Sequence, residues 1–115
     1  DLSPAEALRA TLTGALPTND DTRVHWIVTV ALAGAAASDA ALATTQREAY
    51  RDYREYLIAL ITAMPDVGDA QVEAERLIGL VDGIALQALF DPDSWPAERQ
   101  LRALDAGLLT TVPTS

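Results

Sequence analysis

The sequence predicts an all-α domain, a bundle of five helices. Strand signals are nearly absent: β-branched residues are scattered, aromatics are few, and no segment alternates apolar and polar residues for long. Helix start and stop residues recur at intervals of one helix length. Between them, apolar residues return every three or four positions, the period of a helix face.

The first helix is expected over about residues 3 to 16. Ser3, Pro4, Ala5 and Glu6 make a capping box with proline in the first turn, and Leu8, Leu12, Ala15 and Leu16 repeat on one face until Pro17. Thr18 to Asp21 offer several capping oxygens for a second helix, Val24 to Ala37, which is apolar at nearly all angles and is therefore expected at the centre of the bundle. Ser38 and Asp39 can cap a third. Its Tyr50, Tyr53, Leu57, Leu60, Ile61 and Met64 follow helical spacing, and it should stop at Pro65, with Gly68 completing a turn and Asp69 capping the next helix.

The fourth helix, from about Ala70, must end before Asp91-Pro92, because a proline pushes the residue before it out of helical geometry. Gly79 and Gly83 each cost it about 1 kcal/mol relative to alanine. Stepping 100° per residue, Gly79, Gly83, Leu86 and Phe90 fall on one side, and Leu77, Val81, Ile84 and Ala88 on the other. Two apolar faces need two partners. The fifth helix opens at Pro96 with Glu98 in its first turn and carries Leu101, Leu104 and Leu108 on one face; residues 110 to 115 form an expected frayed tail after a domain ending at 109. Two copies can pack these last helices into an intermolecular four-helix bundle, or the fifth helix can fold back over the glycine face within one chain. Spacing alone leaves both open.

The bulk numbers narrow the function. At 115 residues the chain suits one domain with one core. Its 17 acidic residues against 8 arginines and no lysine, net charge −9, have the wrong sign for gripping a phosphate backbone or an anionic membrane surface. The absence of cysteine excludes disulfides, thiolate zinc sites and a cysteine nucleophile, and is compatible with a reducing cytoplasm. The longest apolar run, Trp26 to Ala37, is broken by Thr29 and Gly34 and falls short of the roughly 20 residues a bilayer span needs. Since the chain begins at Asp1 with neither an initiator Met nor a signal-peptide pattern, the expectation is a soluble, cytoplasmic piece of a longer protein.

The material for catalysis is poor: one histidine, His25, no glycine-rich phosphate loop and no His pair at metal spacing. No enzyme activity, metal or cofactor is expected. Asp82, between Val81 and Gly83 in an apolar helix, must find a partner or hold its proton more tightly, with an arginine or backbone donor as the expected partner. A small-molecule pocket between helices can be lined by Trp26, Thr29 and Val30 with Tyr50, Tyr53, Leu57 and Ile61, whose rings supply both wall and hydrogen-bonding tip. The ordinary alternative is that these residues are core. Arg47 and Arg54 on the shoulders of that face can meet an anionic ligand or remain solvated.

From Arg76 onward, RLIGLVDGIALQALFDPDSWPAERQLRALDAGL resembles the C-terminal region of TetR-family transcriptional regulators, especially the BetI-like subgroup. The resemblance rests on Leu80, Val81, Asp82, Gly83, Ala85, Leu86, Asp91, Pro92, Pro96, Glu98 and Arg99. Trp26, Asp39 and the Arg and Tyr pattern from Arg47 to Leu57 extend it over nearly the whole chain. It implies a ligand-sensing and dimerisation domain of a repressor, with a homodimer formed by the last two helices. It also implies an unidentified small-molecule effector, and operator DNA reached only through a preceding helix-turn-helix domain that this chain lacks. The competing class is a helical interaction module whose glycine face docks another protein, with no small-molecule pocket.

Overall fold

Each helix begins where a side-chain oxygen or a turn carbonyl takes up amide hydrogens that the helix leaves unpaired. The computed structural model describes residues 1–108; the expected domain end at 109 and the frayed tail at 110–115 lie outside them. The helices are α1 (Pro4–Ala15), α2 (Asp20–Ala36), α3 (Ala40–Thr62), α4 (Ala70–Phe90) and α5 (Ala97–Leu108). There is no strand among the described residues.

The capping box of α1 forms as expected: the Ser3 hydroxyl accepts from the Glu6 amide at 3.1 Å, and the Glu6 carboxylate accepts from the Ser3 amide at 3.0 Å. Asp39 and Asp69 cap α3 and α4, each accepting two amides. Asn19 caps α2, one turn ahead of the expected start, because Thr22 completes a second reciprocal box with it. After α3 the chain reverses through Asp66 at φ 62°, and Gly68 has no positive φ. The left-handed residue of the turn is therefore the aspartate, a type that tolerates that region, and not the glycine.

The central helix is α4, not α2. Ala74, Leu77, Ile78, Val81, Ile84, Ala85 and Ala88 of α4 are all buried, shared among α2, α3 and α5, which pack around it. Leu8 and Leu12 of α1, Leu16 beyond it, and Leu57 and Ile61 of α3 complete the core. A buried leucine contributes about 1.5–3 kcal/mol, so this cluster is the main source of stability. Trp26 is the only buried residue of α2, and Val24, Ile27, Val28 and Leu32 are exposed, Val24 by 60%. Reading α2 as buried all round was wrong for a physical reason: α2 packs on α3 and α4 through one side, and no other part of the described chain reaches its second apolar face.

Long polar ties fix the ends of the bundle. Arg23 of α2 donates to the carbonyls of Ala88 and Leu89 at 3.1 and 2.9 Å, capping the C-terminal end of α4 with a cation. The buried Gln100 amide donates to Pro17 and Trp95 carbonyls at 3.2 and 3.1 Å, joining the α1–α2 turn to the start of α5. Arg9 pairs with Asp105 at 2.5 Å across α1 and α5.

Candidate functional site

The site is a cleft where α1, α2, α3 and α4 converge. Its volume is about 410 Å³, and it is lined mainly by apolar surface. The C-terminal end of α1 supplies Gly14 and Ala15; α2 supplies Thr22, His25, Trp26 and Thr29. Gln46, Ala49, Tyr50 and Tyr53 of α3 form the facing wall, and Val81 and Asp82 of α4 the floor. The residues of α2 and of α3 each recur at spacings of three and four, so each helix gives the cleft one continuous face.

The Trp26 indole is fixed by a 2.5 Å hydrogen bond from Nε1 to the carbonyl of Ala15, which closes the free C-terminal end of α1 and holds the ring against the cleft. Across from it, the Tyr50 hydroxyl donates to Oδ2 of Asp82 at 2.9 Å. Burial, reinforced by this bond and by the Asp82 charge, pushes the Tyr50 hydroxyl pKa up to about 12. Burial likewise raises that of Tyr53, and the charge of Asp82 adds to it. Asp82 is itself raised above the usual carboxylate range by burial, against which the Tyr50 bond acts. Its expected arginine or backbone partner is thus replaced by a tyrosine. The Tyr53 hydroxyl is buried without a hydrogen-bond partner. In a well-satisfied interior such a group is uncommon.

Of the expected pocket residues, the structure brings Trp26, Thr29, Tyr50 and Tyr53 together in the cleft. Val30 is partly buried against the core, and Leu57 and Ile61 are fully buried in it. The cleft lies one helical turn nearer the starts of α2 and α3 than expected, because the later half of α3 is taken up by the core. Thr22, His25, Gln46, Ala49 and Asp82 were missed. The same spacing that marked Tyr50 and Tyr53, carried one turn back, reaches Gln46 and Ala49. Arg47 and Arg54 do not line the cleft: with Arg51 they line a second groove along α3, where Arg47 donates to the Thr44 hydroxyl at 3.1 Å.

The two stripes expected to meet a second copy separate in the single chain. Gly79, Gly83, Leu86 and Phe90 lie exposed along α4, Phe90 by 72%. Leu104 and Leu108 are fully buried, and Leu101 is partly buried against the core. Helix α5 does fold back on α4, but beside the glycine face and not over it. Its stripe turns inward because Gly107 lets α5 approach Leu80 so closely that a Cβ there would lie 2.1 Å from the leucine Cδ2, while Arg76 donates to the Gly107 carbonyl at 2.9 Å. Leu104 and Leu108 therefore belong to the core of one chain.

A family model described as BetI-type transcriptional repressor, C-terminal, matches residues 4–113. The chain belongs to that family. This BetI-type domain is similar to a crystal structure of a transcriptional regulator from Rhodococcus sp. Rha1, with a TM-score of 0.88 and 30% identity over 94% of this chain and 68% of that one. No curated protein matches it. The five-helix order is that of a TetR-family C-terminal domain, the domain of a transcriptional regulator.

Proposed function

We propose that this domain binds a small-molecule effector in the α1–α4 cleft, forms a homodimer, and through both controls operator binding by a DNA-binding domain that precedes it in the intact cytoplasmic protein. The cleft carries the reading. It is a largely apolar space of ligand size with a few converging polar groups, Asp82 and the Tyr50 and Tyr53 hydroxyls among them. The acidic balance of the chain, net −9, agrees with DNA contact residing elsewhere. The part of the Rhodococcus regulator that this chain does not span gives such a domain room. Its role is binding and not catalysis.

Dimerisation uses the open face of α4. Gly79 and Gly83 let a partner backbone approach closely, and Leu86 and Phe90 supply apolar area beside them. The switch then follows from differential affinity: an effector that fits the cleft better in one arrangement of α2, α3 and α4 favours that arrangement, and the attached heads change their separation. An effector binding both arrangements equally shifts nothing.

The exposed apolar stripe of α2 favours a second reading, a docking module for another protein. A thermal-shift screen separates the two. A compound at about 100 times its Kd stabilises a sensor by about 2.7 kcal/mol. A docking module responds to no compound.

A further inference from the structure

We propose that the cleft is built for an organic ammonium ion that donates N–H hydrogen bonds, a primary or secondary amine carried on an apolar body. This rests on the sensor reading and names the class of effector. Asp82 places a carboxylate at the floor of a largely apolar cleft, and among the described residues no basic side chain pairs with it. Its hydrogen-bond partner is the Tyr50 hydroxyl on Oδ2, which leaves Oδ1 as a free acceptor of high charge density. A half-buried carboxylate without a counter-ion is partly desolvated at a cost, and a cation entering the cleft offsets that cost.

The Tyr53 hydroxyl sharpens the class. It is buried and unpartnered beside the same cleft, so a ligand offering N–H donors can satisfy both it and Oδ1 of Asp82, whereas a quaternary ammonium has no N–H and leaves the hydroxyl orphaned. Trp26, Tyr50 and Tyr53 present ring surface to the rest of the ligand and attract a cation through their faces. Anions are disfavoured by Asp82 and by the net charge of −9.

The test is calorimetric titration of the 115-residue chain at neutral pH with four compounds sharing one apolar body: phenylpropylamine, phenylpropanol, trimethyl(phenylpropyl)ammonium and phenylpropionate. The amine is expected to bind about tenfold more tightly than the alcohol or the quaternary ion, the scale of a charge-assisted hydrogen bond. Asp82→Asn should erase the advantage over the alcohol, and Tyr53→Phe should narrow the gap to the quaternary ion, with circular dichroism checking that each variant folds. If Asp82→Asn does not fold, the wild-type series and Tyr53→Phe decide. An alcohol binding as tightly as the amine overturns the ammonium class and leaves the pocket standing. An amine preference that survives in a folded Asp82→Asn chain also overturns it. Failure of all four compounds to bind overturns the ammonium class, and the sensor reading is then decided by the thermal-shift screen.

Discussion

Gly79 and Gly83 give a prediction whose sign depends on whether the chain is alone or paired. A Cβ built on either meets nothing within 4 Å, so in the dissociated chain alanine there brings only its better helix propensity, about 1 kcal/mol per site. The double variant Gly79→Ala/Gly83→Ala should therefore stabilise the monomer by about 2 kcal/mol, which at about 4 °C per kcal/mol raises its melting temperature by about 8 °C. In the dimer the same methyl groups enter a close seam, where overpacking costs about 1–3 kcal/mol and raises the dissociation constant by about tenfold to a hundredfold. Calorimetric melts at high dilution read the first effect, and sedimentation equilibrium reads the second. A variant that melts lower than the parent in the dilute regime would show that the face is packed within the chain. An unchanged dissociation constant would show that the dimer seam runs elsewhere.

Arg23→Ala removes both cationic hydrogen bonds to the carbonyls at the end of α4; urea unfolding should show a loss of about 2 kcal/mol with an unchanged slope. Gly107→Ala drives a methyl group into Leu80, so it should lower stability by about 1 kcal/mol net of its propensity gain, opposite in sign to the same exchange at Gly79. Asp82→Asn keeps an acceptor for the Tyr50 hydroxyl but removes a half-buried charge. The folded chain holds the Asp82 proton more tightly than the ordinary value of 3.8. Ionisation of Asp82 therefore disfavours folding, and wild-type stability falls as pH rises from below 3.8 through the raised folded value. Melts across that window should show the variant gaining on the parent and then holding a constant lead; a difference flat with pH contradicts the burial argument.

The starts of α1, α3 and α4 were legible in the sequence because capping chemistry is local: Ser3 with Glu6, Asp39 and Asp69 act on amides two or three residues away. The buried side of α4 was legible for a similar reason, since Leu77, Val81, Ile84 and Ala88 share a face on any helix and the face is apolar. Position in the bundle was not. An apolar pattern on all sides occurs in both α2 and α4, and it does not tell whether neighbours or solvent meet each side; tertiary contacts gave α4 three partners and left one face of α2 open. The inward turn of Leu104 and Leu108 follows from the close approach at Gly107 and Leu80, a contact between residues 27 positions apart that no periodicity encodes. For the cleft, Trp26, Thr29, Tyr50 and Tyr53 could be found from ring chemistry and spacing. The offset of one turn, and the bond joining Tyr50 to Asp82 across 32 positions, needed the packing of α3 on α4.

The most direct measurement is the operator affinity of the intact protein with and without a compound that raises the melting temperature of this domain. Coupling between effector and DNA sites predicts a change of about 5- to 150-fold, absent when the compound is tested on a protein whose cleft is filled by Ala49→Trp. An operator affinity that stays the same while the compound occupies the cleft would contradict the account.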